Sequence, residues 1–280
     1  MKKILILFLA LSVVGGAAFA QSFTVGAELN FDPLTGYNDD GTDDLGTHIR
    51  PFFSVSAEDV GGHGIDVSAE VGVNFFMMDG DMATDLDFEF DFAYNLPLSP
   101  EGTLTFGLNF TSATYLTDTP SALSPRVVYT HDLGGMTFFG GLELGIAFTT
   151  ADGWPGNELG DNLWMDLSAG MTMAMDPGTL GFDVTLEMSL QEGSESADDT
   201  VQWLSLLPNF TFADLPLYVE LEVRIPLMSD GMDDEGISLI PEVRYGVSDA
   251  LEVWLNMPMR HVTGDPDLRL GLGLGVQFSF

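Results

Sequence analysis

Six arginines and at least fourteen carboxylates sit at alternate positions in this chain, and that spacing is where its chemistry lies. Arg50, Arg126, Arg224, Arg244, Arg260 and Arg269 each belong to a segment whose apolar residues keep the opposite parity. The same holds for Glu28, Asp66, Glu70, Asp87, Glu89, Asp91, Glu143, Asp166, Asp183, Glu187, Glu220, Glu222, Glu242 and Glu252. Side chains two residues apart share one face of an extended strand, so each segment has a charged face and an apolar face. Burying the charged face in a dry core would cost several kcal/mol per unpaired ion, so it needs water. The two signs are unevenly placed. Four arginines fall on the last four segments, whereas residues 65–191 carry nine of the acids and only Arg126. Glu220 and Arg244 fall at similar heights on neighbouring segments, which also admits a local ion pair of about 0–1 kcal/mol.

Other chemistries find less support. Of the four histidines, His48 and His261 fall near long loops, His63 and His131 near short turns. A Ser–His–Asn or His–Asp constellation needs such groups to converge at one mouth. His48 and His261 could do so, with Asp265 and Asp267 nearby, but no recognisable signature surrounds either. Asp132 beside His131 reads as a turn residue, and no enzymatic activity is expected. The run Tyr37-Asn38-Asp39-Asp40-Gly41-Thr42-Asp43-Asp44 has the flavour of a calcium loop. Its EF-hand frame would start at Gly36 and end at Thr47, neither a carboxylate, so the motif fails and a solvated acidic loop is the reading. No metal or cofactor is expected. The absence of cysteine excludes disulfides and zinc–thiolate sites. The formal charge of −35 excludes a nucleic-acid partner, which requires a basic face.

The elements that must position these residues follow from the alternation. Residues 1–20 have the build of a cleaved secretory signal: Lys2-Lys3, the apolar run Ile4 to Val14, and the small-x-small site Ala18-Phe19-Ala20. The domain expected after it is 21–280, and no later run is long enough for a spanning helix, which needs about 20 apolar residues. Alternating segments occur at Ser22–Phe31, Thr47–Glu58, Ile65–Phe76, Asp85–Leu96, Thr103–Thr114, Ser124–His131, Met136–Thr149, Asn162–Met175, Thr179–Gln191, Val201–Phe212, Leu217–Met228, Ile237–Val247, Leu251–Val262 and Asp267–Phe280. The segments beginning at Ser124 and Val201 alternate least clearly. Connections come in two kinds. Short Gly-, Pro- and Asp-rich turns such as Gly61-Gly62-His63-Gly64 and Asp176-Pro177-Gly178 alternate with mostly longer stretches such as Asp32–Gly46, Met77–Thr84 and Ala151–Asp161. Phe182, Phe210, Phe212, Tyr245, Phe278 and Phe280 gather at the short-turn ends, Phe75, Phe88 and Phe148 at the others.

Signal, alternation, loop asymmetry, aromatic ends and the terminal Phe280 together resemble the bacterial outer-membrane β-barrels and porins across the whole mature chain. Size and strand count are most similar to the monomeric 14-stranded porins, and no motif ties the chain to one subfamily. The expected fold is all-β, an antiparallel up-and-down transmembrane barrel of about 14 strands. The resemblance implies a location in the outer membrane, contact with its lipid, and handling by periplasmic chaperones and the barrel-insertion machinery, with Phe280 as the assembly signal. It also implies that the alternating charges line a pore, with a basic wall facing an acidic one. The expected function is a passive diffusion pore for small hydrophilic solutes, and the excess of acids makes it cation-selective. The alternative is a structural or adhesive surface barrel with acidic extracellular loops.

Overall fold

A computed structural model describes residues 22–32, 46–78, 81–112, 122–147, 162–190, 202–228, 237–260 and 269–280. The signal segment, the acidic stretch 37–44, the loop 151–161, Phe148 and His261 lie outside the described residues. The strands are β1 (Ser22–Asp32), β2 (Gly46–Ala57), β3 (Ile65–Met78), β4 (Asp81–Pro97), β5 (Gly102–Ser112), β6 (Ala122–Asp132), β7 (Met136–Ala147) and β8 (Asn162–Met175). They continue as β9 (Gly178–Ser189), β10 (Gln202–Phe212), β11 (Leu217–Met228) and β12 (Ser238–Ser248). β13 runs Leu251–Asn256 and resumes at Met259–Arg260; β14 runs Arg269–Leu270 and resumes at Leu272–Ser279.

Each strand pairs antiparallel with the next, and β14 returns to β1 in register from Thr24↔Ser279 to Phe31↔Leu272. Beyond the last ladder pair, Phe280 N donates to Phe23 O at 2.8 Å and Phe23 N to Phe280 O at 3.2 Å. The sheet closes on itself as a barrel of fourteen strands. Closure satisfies every edge, which is what lets strands lie in hydrocarbon.

Burial runs opposite to that of a water-soluble sandwich. The polar series is shielded: Asn74, Ser124 and Ser205 are buried, Asn74 to 1% exposure. The apolar series is open: Leu86 is 51% exposed, and Leu108, Val127, Leu142, Leu167, Leu221, Val243, Leu255 and Leu274 all stand free. Side chains crowd on the concave side of a closed sheet and splay on the convex side. The polar face is therefore the inner one and the apolar face the outer one, facing lipid in a membrane barrel. Val55 and Ala57 are exceptions in the apolar series, buried although convex; Val55 has Phe23 as its register partner.

Three details depart from the sequence reading. The stretch Met77–Thr84, expected as a longer loop, is mostly strand. β3 and β4 stay in register out to Met78↔Asp81, so only residues 79 and 80 connect them. Asp79-Gly80 is a strong hairpin signal, hidden because alternation fades around Met77 and Met78. The two least distinct segments form complete strands. Each contains a proline, Pro125 or Pro208, that interrupts the ladder to one neighbour and blurs the pattern. The last two strands are broken, β13 at Met257-Pro258 and β14 at Gly271. At the other end, the turn after β2 holds Asp59, Gly61, Gly62 and Gly64 at φ of 46°, 69°, 73° and 68°. Three glycines there are a steric requirement.

Candidate functional site

The concave face carries a belt of charged groups, and register explains how each is held. Arg50 on β2 is the most heavily engaged. Its Nε donates to Asp87 of β4 at 2.7 Å and its Nη2 to Glu70 of β3 at 2.5 Å; its Nη1 lies 3.8 Å from Glu28 of β1. One guanidinium thus ties four strands. It crosses β3 at Gly72, where a Cβ would collide with both Asp87 and Arg50. Arg126 on β6 reaches across β5 in the same way. It meets both oxygens of Asp91, at 2.8 and 2.7 Å, over Gly107. A planar fork suits this two-point contact.

On the far side, Arg224 of β11 crosses β10 to Glu187 of β9 at 2.7 Å and lies 5.1 Å over the Trp203 ring. Arg244 of β12 bonds Glu242 on its own strand and lies 5.8 Å over Tyr218. The anticipated Glu220–Arg244 pair does not form. Glu220 stands opposite Glu242 in register and accepts from the Tyr218 hydroxyl. Arg260 and Arg269 are register partners, with their side chains outside the described set. Every arginine whose side chain is described is held by carboxylates, so local pairing takes up the basic wall.

The acids are less evenly answered. Glu143, Asp166 and Glu187 stand directly opposite one another on β7, β8 and β9. Arg126 is the register partner of Glu143 at one end, and Arg224 bonds Glu187 at the other. Asp183 lies on the same face, with Gly170 and Leu207 as its partners. Glu89 accepts from Asn109 at 2.8 Å, Glu222 from Ser205 at 3.4 Å and Glu252 from Gln277 at 3.1 Å. Asp66 belongs to the short-turn rim, where it accepts from Asn95 and from the Asp59 amide.

The sequence reading missed the aromatic residues of the charged face. Phe52, Phe139, Trp164, Trp203, Tyr218 and Trp254 all keep the polar parity. Four of them lie over a glycine directly opposite in register: Phe52 on Gly26, Phe139 on Gly170, Trp164 on Gly145 and Trp254 on Gly275. Glycine leaves the strand backbone bare, and a flat ring covers it. The signal exists in the sequence only as an aromatic among polar residues; the glycine partner appears once register is known.

The pairing of His48 with His261 falls outside the described residues. His48 bonds Asn74 at 2.7 Å, while His131 bonds the Tyr129 hydroxyl at 3.1 Å and stacks on its ring. Among the described residues no group of three His, Asp or Glu side chains has metal-binding geometry.

Solved structures with this fold include outer-membrane proteins. An anion-selective porin from Comamonas acidovorans superposes with a TM-score of 0.51 at 11% identity, covering 93% of this chain and 99% of that one. The fold is that of the bacterial porins. OprB of Pseudomonas putida superposes with a TM-score of 0.50 at 11% identity, covering 92% and 93% of the two chains. No protein-family model matches the sequence, and no curated protein does.

Proposed function

We propose that the protein is a passive diffusion pore of the outer membrane, open to small hydrophilic solutes and selective for cations. The observation that carries this reading is the inversion of the barrel, apolar residues outside and a charged belt inside. Strand spacing of about 4.8 Å and a tilt of about 40° give fourteen strands a backbone radius of about 14 Å. Inward side chains take up about 5–6 Å, which leaves a free radius of about 8 Å, comparable to the Debye length of about 8 Å at physiological salt. Wall charge is then felt across the lumen. Six arginines against fourteen carboxylates leave the wall at a formal −8. Such a wall concentrates cations and repels anions. The Comamonas porin is anion-selective, the opposite of what this wall charge favours. A planar bilayer under a KCl gradient tests the proposal. The expected reversal potential is that of a cation-selective channel, weakening as salt rises; an anion-selective potential contradicts the charge argument, and no conductance favours a structural or adhesive barrel.

The route to the membrane is part of the same proposal. Phe280, 76% exposed and tethered to β1 only through its backbone, is free to be read by the insertion machinery. Deleting it should lower the folded, heat-modifiable fraction in outer membranes. Unchanged insertion of the shortened chain would refute that role.

A further inference from the structure

The short turns at one end of the barrel share a composition that the lumen does not explain. They join β2 to β3, β4 to β5, β6 to β7, β8 to β9, β10 to β11 and β12 to β13. Seven exposed carboxylates stand on them: Glu58, Asp59, Glu101, Asp132, Asp176, Asp214 and Asp249. The same stretches hold no lysine or arginine, and His63 is their only basic side chain. Asp59 and Asp132 each spend one oxygen on their own turn, accepting from the Gly64 amide at 2.6 Å and the Gly134 amide at 2.7 Å. Glu101, Asp176, Asp214 and Asp249 have no side-chain partner among the described residues.

Apolar side chains stand beside these acids. Leu98, Leu133, Leu215 and Val247 are each more than half exposed, and Met175 nearly so. All keep the convex parity of the adjoining strand: Leu98 follows Leu96, Leu133 follows His131, Leu215 precedes Leu217, and Met175 and Val247 belong to β8 and β12. Five of the six turns thus set an outward apolar residue within three positions of an exposed carboxylate. A single exposed leucine needs no explanation. Its recurrence from turn to turn continues the lipid-facing belt to its edge. A turn that dips its leucine into hydrocarbon holds its carboxylate at the level of the lipid headgroups.

We propose that this rim selects phospholipids whose headgroup carries a primary ammonium. The inference rests on the reading of the barrel as membrane-spanning and adds a lipid class to it. Short turns are periplasmic in outer-membrane barrels, so the leaflet concerned is the inner one. A primary ammonium offers three N–H donors, and carboxylates accept them in short, charge-assisted bonds. A quaternary ammonium brings the charge without the donors. An anionic headgroup adds negative charge within a Debye length of about 8 Å, where the turns have no lysine or arginine to answer it.

The test is spin resonance of spin-labelled phospholipids in vesicles of phosphatidylcholine holding the refolded mature protein. The motionally restricted fraction measures how strongly each lipid associates with the barrel. The expected order is phosphatidylethanolamine, then phosphatidylcholine, then phosphatidylglycerol, with the first favoured about fivefold over the last, the effect of one charge at a membrane surface. The order should flatten in 1 M NaCl. Glu101→Gln, Asp176→Asn, Asp214→Asn and Asp249→Asn together should remove most of the preference while conductance is kept. Equal association of phosphatidylethanolamine and phosphatidylcholine overturns the inference, as does an order that neither salt nor the four substitutions change. Binding of pentalysine to the vesicle-embedded barrel, abolished by the same substitutions, would place the carboxylates in open water as a surface for a basic protein and also overturns it. A planar bilayer tests the pore reading separately. A conducting barrel without lipid preference leaves that reading standing, and lipid preference in a barrel that does not conduct removes the pore and leaves the rim.

Discussion

Two sectors of one concave face, β1–β4 and β11–β14, use the same residue types to opposite ends. Both set an arginine over an aromatic ring, Arg50 over Phe52 at 5.5 Å and Arg244 over Tyr218 at 5.8 Å. In the first sector the β3–β4 register runs unbroken from Ile65↔Tyr94 to Met78↔Asp81. Arg50, its side chain 18% exposed, draws its partners from three other strands. In the second the strands break at Pro258 and Gly271, and Arg244, 46% exposed, is bonded within its own strand. A guanidinium that bridges strands holds a wall together. One that closes on its own strand ties no neighbour to it. The difference lies in the glycines: Gly72 lets Arg50 pass between strands, whereas Gly273 and Gly275 take the amides of Asn30 and Asn256 and the indole of Trp254.

Arg50→Met should have the largest effect. It leaves Glu28, Glu70 and Asp87 facing one another without their shared cation, at a cost of about 3 kcal/mol. Urea-dependent refolding into lipid vesicles measures it, and adding Glu70→Gln and Asp87→Asn should restore part of the loss. If Arg244→Met costs as much, the two sectors are not different in kind.

A smaller effect sharpens the inside–outside distinction on which the comparison stands. Leu274→Arg places a cation on the convex face between Leu29 and Leu255 and should cost about 2 kcal/mol or more in the same titration. Gln277→Arg, on the concave face of the same strand and beside Glu252, should be close to neutral. Equal costs would mean that the faces are assigned wrongly.

Arg244→Met should have the smallest effect on stability, below about 1 kcal/mol, because its ion pair is solvent-screened and holds no second strand. A loss approaching that of Arg50→Met would show the broken sector to be held together electrostatically after all.

Most of the barrel was legible before the structure. The closure of β14 on β1, the even strand count and the parity of the charged residues whose side chains are described follow from alternation. The misjudged parts are those where alternation lapses. Alternation alone makes the β3–β4 hairpin at Met78 and Asp81 a loop and carries the last two strands unbroken through Pro258 and Gly271. The candidate site was legible as a set of residues but not as a set of partnerships. Arg244 bonds Glu242, not Glu220, and Trp254 with Gly275 went unnoticed.

The sequence by itself determined which residues share a face, because side-chain direction in a strand depends only on counting by two along the chain. It therefore determined an apolar side, a charged side and an excess of acids on the latter. The tertiary structure decided what stands opposite what. Register is a relation between strands, and a slip of one residue would exchange the faces while a slip of two would keep them and change every partner. The three carboxylates around Arg50, the row of Glu143, Asp166 and Glu187, and the indole of Trp254 on bare glycine all depend on that second kind of information. It is set by the turns and by closure of the whole ring, which no single segment contains.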